Sequence, residues 1–398
     1  MKNKLTVLAV MLSAAGLMAP AAQAQDKVKI GFITDMSSLY ADVEGKNGAV
    51  AIQMAIDDFG GKVLGMPIEL LTADHQNKAD IAASKAREWI DTQGLTVLFG
   101  GTNSGTALAS AKIAAEKKRV YINNGAGSSV LTNEQCTPYT VHYAYDTVAL
   151  ARGTGSAIVD AGGKSWFFLT ADYAFGHALE SDTAAAVKAK GGTTVGTVRH
   201  PLNASDFSSF LLQAQNSKAQ ILGLANAGGD TINAIKAAKE FGIDKNMKMA
   251  GLLLFITDIH SLGLKNTAGL QLTTSWYWDL NDETRKFGNR FFAKTKRMPT
   301  SIQAADYSAT MNYLKAVEAA KSIDADKVMS VWRETKMNDF YASGTLRADG
   351  RYVHDMYLME VKKPSESTKP WDYYKVVKKI PGEQIFTTKA ESKCALWK

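Results

Sequence analysis

The sequence predicts an α/β protein built from two doubly wound, Rossmann-like lobes. Short apolar strands alternate with amphipathic helices, a pattern typical of βαβ units and parallel sheets. The alternation restarts after about residue 150, and no Pro/Gly/Ser-rich linker separates the two halves. A length of 398 residues exceeds one ordinary domain and suits two.

The first half opens with a strand at 28–33 and a polar loop. The following helix carries Ile52, Ala55, Ile56 and Phe59 on one apolar face. The other predicted elements of this half are strands at 67–73, 95–99 and 120–122 and helices at 79–92 and 105–116.

The second half repeats this alternation and then becomes helical. Its predicted strands lie at 165–169, 193–198, 220–225 and 248–253, and its helices at 177–190, 206–216, 230–241 and 257–264. Further helices are predicted at 283–295, 301–323 and 326–334. Alternating residues at 352–361 and 371–379 indicate a closing hairpin.

The N-terminus has the pattern of a removable signal peptide spanning residues 1–24. Lys2 and Lys4 precede an apolar run at 5–18, and Ala22-Gln23-Ala24 provides a small-x-small cleavage site. An uncleaved anchor is the alternative. We expect a protein exported to the periplasm, because no later segment is long and apolar enough to span a bilayer.

Cys136 and Cys394 are the two cysteines of the chain. In an oxidising compartment an even pair predicts a disulfide bond. Two unrelated buried thiols are the alternative.

Motifs for catalysis, metals and nucleic acid are missing from the sequence. The formal net charge is +7, but the sequence contains no run of five or more basic residues. Nucleic-acid binding is therefore not expected. The histidines lack metal-ligand spacing, and the loop 100–105 continues with Thr106 where a phosphate loop needs Lys. We therefore expect no catalytic residue, no metal and no cofactor, although an enzyme is not excluded.

Polar loops follow three predicted strands of the first lobe. Ligands of open α/β sheets lie outside the carboxyl ends of the strands, where glycine backbone and helix N-termini favour an anion such as a carboxylate. Alternatively, the Ser and Thr side chains only cap their helices. The candidate binding residues are Ser38, Leu39, Tyr40, Asn103, Ser104, Gly125, Gly127 and Ser128.

The corresponding strand ends of the second lobe are richer in aromatic residues. Such residues are often core, but opposite Gly/Ser loops they predict a cleft with one polar wall and one apolar wall. The candidates here are Tyr173, Phe175, Asn226, Phe255 and Trp278.

Five segments together resemble a known family. They are Lys-Ile-Gly-Phe-Ile at 29–33, the loop 100–104, Asp-Tyr-Ala-Phe-Gly at 172–176, Asn-Ala-Gly at 226–228 and Gln-Ala-Ala-Asp-Tyr at 303–307. Their order and spacing resemble the type I periplasmic binding proteins of ABC transporters, in the leucine/isoleucine/valine class and its proteobacterial branch.

This resemblance implies two lobes joined by a hinge of three crossovers. Lobe one would take residues 26–146 and 278–353, and lobe two residues 147–277 and 354–382. A tail at 383–398 would return to lobe one. A monomer would capture its ligand by hinge closure and deliver it to a membrane permease, hydrolysing nothing itself.

The resemblance also assigns roles to individual residues. Family loops that hold a ligand carboxylate match Asn103, Ser104 and 125–128, and two family tyrosines match Phe175 and roughly Asn226. The family acid that holds a ligand ammonium falls near the apolar Leu253, and Asp258 is the nearest substitute. A buried ammonium without an acid is costly. We therefore expect a small carboxylate with an apolar body, an aromatic acid before a hydrophobic or branched-chain amino acid. A short amide or a ligand-sensing receptor is the alternative.

Overall fold

The computed structural model describes residues 27–397, so the predicted signal peptide lies outside the described residues. The first part of the described chain contains every strand and helix predicted for it, together with two short strands that were not predicted, β2 and β6. In chain order its elements are β1 (Val28–Thr34), α1 (Gly45–Asp58), β2 (Lys62–Val63), β3 (Met66–Asp74), α2 (Ala79–Gln93), β4 (Val97–Gly100), α3 (Ser104–Glu116), β5 (Val120–Asn123) and β6 (Thr140–His142).

These strands form one six-stranded sheet in the order β2-β3-β1-β4-β5-β6. All neighbours are parallel except β2 and β3, which confirms the predicted parallel sheet. Phe32 of β1 shares one buried cluster with Ile52 of α1, while Ile33 shares another with Trp89 of α2. Both faces of β1 are thus covered, which explains its nearly continuous apolar sequence.

The second parallel sheet has the order β10-β9-β7-β8. Its strands are again parallel. The strand predicted at 248–253 ends early, at Gly251, and residues 252–255 form a loop. The elements of this part are α4 (Thr147–Leu150), α5 (Ser156–Asp160), β7 (Ser165–Ala171), α6 (Ala174–Ala189), β8 (Thr193–His200), α7 (Ser208–Asn216), β9 (Ile221–Ala225), α8 (Gly229–Glu240), β10 (Lys248–Gly251), α9 (Ile256–Leu262), α10 (Leu264–Thr267) and β11 (Gln271–Thr274).

The last part of the chain returns to the first sheet, because its longest helix, α12, packs against α1. Two small antiparallel sheets follow, in the orders β12-β13-β14 and β11-β15-β16. The elements are α11 (Asp282–Thr295), α12 (Ser301–Ala320), α13 (Ala325–Glu334), β12 (Met337–Asn338), β13 (Ser343–Leu346), β14 (Tyr352–His354), β15 (Met356–Val361), β16 (Tyr374–Ile380) and α14 (Gly382–Ile385).

The single strand predicted at 352–361 is wrong, because the chain changes sheets at Asp355. β14 pairs with β13, whereas β15 pairs with β11 and β16. The predicted hairpin is confirmed as the antiparallel pair of β15 and β16.

The chain passes between the two parallel-sheet lobes three times, after β6, after β11 and after β14. Arg351 joins two of these passages. Its buried guanidinium donates to the carbonyl oxygens of Tyr143 at 2.6 Å and Tyr145 at 2.8 Å. The Arg351 side chain therefore holds the segment that follows β6 next to the segment at β14.

The predicted disulfide bond is confirmed. Cys136 and Cys394 are bonded although 258 positions separate them in the sequence. Of the helices in residues 27–397, none combines the length and the apolar composition that crossing a membrane requires.

Candidate ligand-binding site

The candidate site lies where the two sheets present the carboxyl ends of their central strands. In the first sheet β1 lies between β3 and β4, and in the second β7 lies between β8 and β9. In each sheet the loops that leave the strands on the two sides of β1 or β7 lead away in opposite directions, because the strand order reverses there. Such switch points open a crevice between the outgoing loops.

The loop after β1 is organised by Asp35, a residue that the sequence did not single out. Its carboxylate accepts from the backbone N–H and hydroxyl of Ser38, at 2.9 and 2.8 Å, and from the N–H of Tyr40 at 2.8 Å. Asn77 donates to the same carboxylate at 2.7 Å. These bonds place Tyr40 in the crevice, while Ser38 stays exposed and supports the loop.

The loops after β4 and β5 are tied together by a serine pair. Asn103 caps α3, its side-chain oxygen accepting from Gly105 N–H at 2.8 Å. The Ser104 hydroxyl oxygen accepts from the Ser128 N–H at 3.2 Å. The Ser128 hydroxyl is buried and has no hydrogen-bond partner among the described atoms. A buried hydroxyl without a partner is available to donate to a bound solute.

Gly127 is required where the lobes meet. A Cβ atom there would lie 2.6 Å from the ring of Tyr145 and 2.9 Å from that of Phe175. Only a residue without a side chain permits this approach. Gly125 is similarly confined, since its Cβ would lie 3.0 Å from Thr102 and 3.1 Å from Glu44.

Contacts between the lobes close the crevice. The hydroxyl oxygens of Tyr40 and Tyr173 lie 2.6 Å apart. The Leu39 carbonyl accepts from the Gly229 N–H at 3.4 Å. Gly228 has a φ of +56° and passes so close that a Cβ would lie 2.8 Å from the Leu39 carbonyl oxygen.

The closed crevice encloses a cavity of about 10 Å³, which is close to the room that one water molecule needs. Six of its lining residues were predicted as site residues: Tyr40, Gly125, Gly127, Tyr173, Phe175 and Phe255. Leu253 was noted only as the place near which the family acid falls. The remaining lining residues, Val43, Thr102, Tyr145 and Ala227, were not predicted as site residues. Because all eleven are neutral, no ionised side chain lines this cavity.

Seven predicted residues do not line this cavity. Five of them belong to the lobe-one loops around it, namely Ser38, Leu39, Asn103, Ser104 and Ser128, whereas the side chains of Asn226 and Trp278 are engaged elsewhere. The Asn226 amide contacts His200 at 3.1 Å and accepts from the Thr231 hydroxyl at 2.7 Å, inside lobe two. The Trp278 indole donates to the Trp371 carbonyl at 2.9 Å, and Lys369 lies over its ring. Neither residue lines the interlobe cavity.

Asp258 serves the backbone of the loop rather than the cavity. Its carboxylate accepts from the Phe255 N–H at 2.9 Å, at the start of α9. Burial raises the pKa of Asp258 to about 7. The residue suspected as an ammonium partner thus holds Phe255 in place.

Two buried acids lie behind the lobe-one wall. Thr34 donates to Glu44, and Asn124 donates to Asp306 at 2.7 Å. Burial and then the charge of Asp306 raise the pKa of Glu44, and burial raises the pKa of Asp306. Both pKa shifts favour the protonated, neutral form of the acids. A bound anion is therefore repelled less by this pair than it would be by two ionised carboxylates.

A much larger groove, of about 890 Å³, lies beside α6. Ala185 and Ala189 line it, together with Arg152 and Glu391, which form an ion pair. It shares no lining residue with the interlobe cavity and contains none of the predicted site residues, and we do not assign the ligand to it. Within residues 27–397, no group of acid, His and Cys side chains could hold a metal ion.

Comparisons with known proteins agree with this architecture. A periplasmic binding protein of Burkholderia mallei is 70% identical, with a TM-score of 0.93 over 94% of this chain and all of that one. A branched chain amino acid ABC transporter periplasmic ligand-binding protein of Burkholderia xenovorans is 42% identical, with a TM-score of 0.83 and the same coverage.

A curated relative, the Leu/Ile/Val-binding protein homolog 7 of Brucella melitensis, is 23% identical over 58% of this chain. That match spans about 60% of the relative's length. The family model described as periplasmic binding protein matches residues 27–368. The family consists of binding proteins rather than enzymes, and this chain belongs to it: it is a periplasmic binding protein of the type I α/β fold.

Proposed function

We propose that the protein is the periplasmic solute-binding component of an ABC importer and that its solute is a small carboxylate with an apolar body. The lobes would close on the solute as a monomer and present it to a membrane permease. The observation that carries this proposal is the interlobe cavity, which lies between the switch-point loops of both lobes and is lined by residues of both.

The polar groups around the cavity favour an anionic head group. On the lobe-one side, Gly125 and Gly127 line the cavity, and the unpaired hydroxyl of Ser128 belongs to the same loop. Three helices, α3, α6 and α8, begin directly after the loops of the site, and helix N-termini favour negative charge. Carboxylates held in this way need no arginine or lysine.

The apolar wall favours a ligand without an ammonium group. Leu253 lines the cavity at the position where family members keep an acid, and the carboxylate of Asp258 is bonded to the Phe255 backbone. A buried ammonium without an acid partner is costly. The Burkholderia xenovorans relative is a branched chain amino acid ABC transporter periplasmic ligand-binding protein. It supports the importer role and keeps a hydrophobic amino acid as the second candidate.

Calorimetry on the ligand-free protein tests this proposal. We expect binding of simple monocarboxylates, much weaker binding of leucine, and no binding of the amides that match these acids in shape. Leucine or an amide bound more tightly than every monocarboxylate would refute the anionic head group. A ligand-sensing receptor would bind the same solutes without stimulating permease-dependent uptake into vesicles, so that assay separates the two roles.

A further inference from the structure

The interlobe cavity is the first of three small cavities that are connected by shared lining residues. Each has a volume of about 10 Å³. The second shares Tyr145, Leu253 and Phe255 with the interlobe cavity. The third, beside Trp276 and Tyr374, shares Leu254 and Phe255 with the second. Phe255 is the one residue that lines all three, which makes it the candidate partition between them.

The structure holds this phenylalanine firmly. Its backbone N–H donates to Asp258 at 2.9 Å, and its ring packs edge-to-face on Tyr145 with the ring centroids 6.3 Å apart. Its side chain is almost completely buried. Phe255 is therefore a fixed partition, because swinging it aside would break packing on both sides.

Two polar groups without hydrogen-bond partners belong to residues that line the third cavity. Trp276 and Tyr374 line the third cavity. The indole Nε1 and the tyrosine hydroxyl are both buried and have no hydrogen-bond partner among the described atoms. A ligand that reached past Phe255 would meet two hydrogen-bond donors there, whereas a ligand confined to the first cavity meets neither.

We propose that Phe255 limits ligand length and that the site takes short-chain, acyclic carboxylates. The inference rests on the proposed function and narrows its carboxylate class, replacing the aromatic acid expected from the sequence. An acid of two to four carbon atoms requires less displacement of the side chains around the first cavity than a six-membered ring does. A ring requires either displacement of Phe255 or separation of Tyr40 from Tyr173.

The test measures, by calorimetry, the affinities of a series of acids of increasing size: acetate, pyruvate, butyrate, benzoate and 4-hydroxybenzoate. The wild-type protein is expected to bind one of the three short acids at least tenfold more tightly than either ring acid. Phe255→Ala joins the three cavities and is expected to reverse this order, with 4-hydroxybenzoate gaining most because its hydroxyl reaches Trp276 and Tyr374. Phe255→Leu provides a milder enlargement should the alanine variant fail to fold.

Leu254→Ala is the matched control. Leu254 lines the second and third cavities but not the first, so its truncation enlarges the distal space and leaves the partition intact. The order of the acids is expected to stay that of the wild type. Reversal of the order in Leu254→Ala would overturn the assignment to Phe255.

The possible outcomes separate the two proposals. Benzoate bound by the wild type as tightly as the short acids would overturn the length limit and leave the carboxylate function standing. Folded Phe255 variants that gain no affinity for ring acids would overturn it as well. If no acid of any length binds to the wild type, the carboxylate function itself fails.

Discussion

The hydroxyl oxygens of Tyr40 and Tyr173 lie 2.6 Å apart, one from each lobe. Tyr40 is placed by Asp35 in the loop after β1, and Tyr173 precedes α6 in the loop after β7. Both residues line the interlobe cavity. The bond between them therefore connects the closure of the lobes directly to the enclosure of the solute.

Removal of one hydroxyl is expected to weaken ligand binding. Tyr173→Phe keeps the ring but deletes a bond that only the closed form makes, and a net hydrogen bond contributes about 1 kcal/mol. We expect the Kd for the tightest short acid to rise about fivefold by calorimetry. Tyr139→Phe is the control, because Tyr139 donates to Asp326 and does not line the cavity. Equal affinities in wild type and Tyr173→Phe would show that the bond contributes nothing to closure.

Loss of the disulfide bond is expected to lower stability without changing the ligand. Closure of a loop of 258 residues stabilises by at most about 5 kcal/mol in the chain-entropy model. Cys136→Ser, Cys394→Ser and the double variant are expected to unfold at the same lower denaturant concentration. Thiol titration of the unfolded, non-reduced wild type is expected to detect no thiol. Two reactive thiols there would contradict the bond.

Asp258 predicts a pH dependence of stability with a definite sign. Its pKa is about 7 in the folded protein and near the ordinary 3.8 in the unfolded chain. The folded state therefore binds the proton more tightly, and the contribution present below pH 4 is lost as the pH rises towards 7. Asp258→Asn keeps an oxygen for the Phe255 N–H but cannot ionise.

In denaturant titrations, Asp258→Asn and the wild type are expected to be similarly stable at pH 4. The variant is expected to be more stable by roughly 2 to 4 kcal/mol at pH 8. A difference between the two proteins that does not change from pH 4 to pH 8 would mean that Asp258 ionises as freely in the folded protein as in the unfolded chain.

Truncation of Arg351 is expected to be among the most damaging single changes at the crossovers. Arg351→Met leaves the Tyr145 carbonyl without this donor and leaves the Tyr143 carbonyl only its contact with His354 at 3.1 Å. It also removes the nearest cation from buried Asp146, 3.7 Å away. We expect a loss of about 3–5 kcal/mol in the free energy of unfolding. Adding Asp146→Asn is expected to restore part of it.

Arg285→Met is the surface control for that measurement. Arg285 pairs with Asp279 and Asp282, but its side chain is 38% exposed. Exposed pairs contribute about 0–1 kcal/mol, so this variant is expected to unfold almost like the wild type. Equal losses in the free energy of unfolding for Arg351→Met and Arg285→Met would contradict the special role assigned to Arg351 at the crossovers.

Regular elements of the fold could be predicted because hydrophobic periodicity and glycine turns are local signals. β6 was missed because it has only three residues and buries the polar side chains of Thr140 and His142. The division of the predicted strand 352–361 into β14 and β15 at Asp355 was missed, because the alternation of apolar and polar residues continues across Asp355. Which sheet a strand joins depends on partners far away in the sequence, and no local pattern carries that information.

The predicted residues that line the candidate cavity are glycines and aromatic residues after strands. Thr102 lies within a loop that was recognised, but Tyr145 follows the missed β6 and had no strand to mark it. Asn226 and Trp278 are the opposite case, since both were predicted and neither lines the cavity. Their positions after strands suggested a ligand, whereas hydrogen bonds to His200 and Trp371 occupy their side chains.

The order in which the chain is made also matters for lobe one. The strands β1 to β6 come first, but α12, which packs against α1, begins only at Ser301, and Cys136 finds its partner 258 positions later. The lobe that is synthesised first is thus the last to be completed. During this interval an apolar sheet face lacks its cover, and such surfaces aggregate. We therefore expect the N-terminal half to be prone to aggregation until α12 has been synthesised.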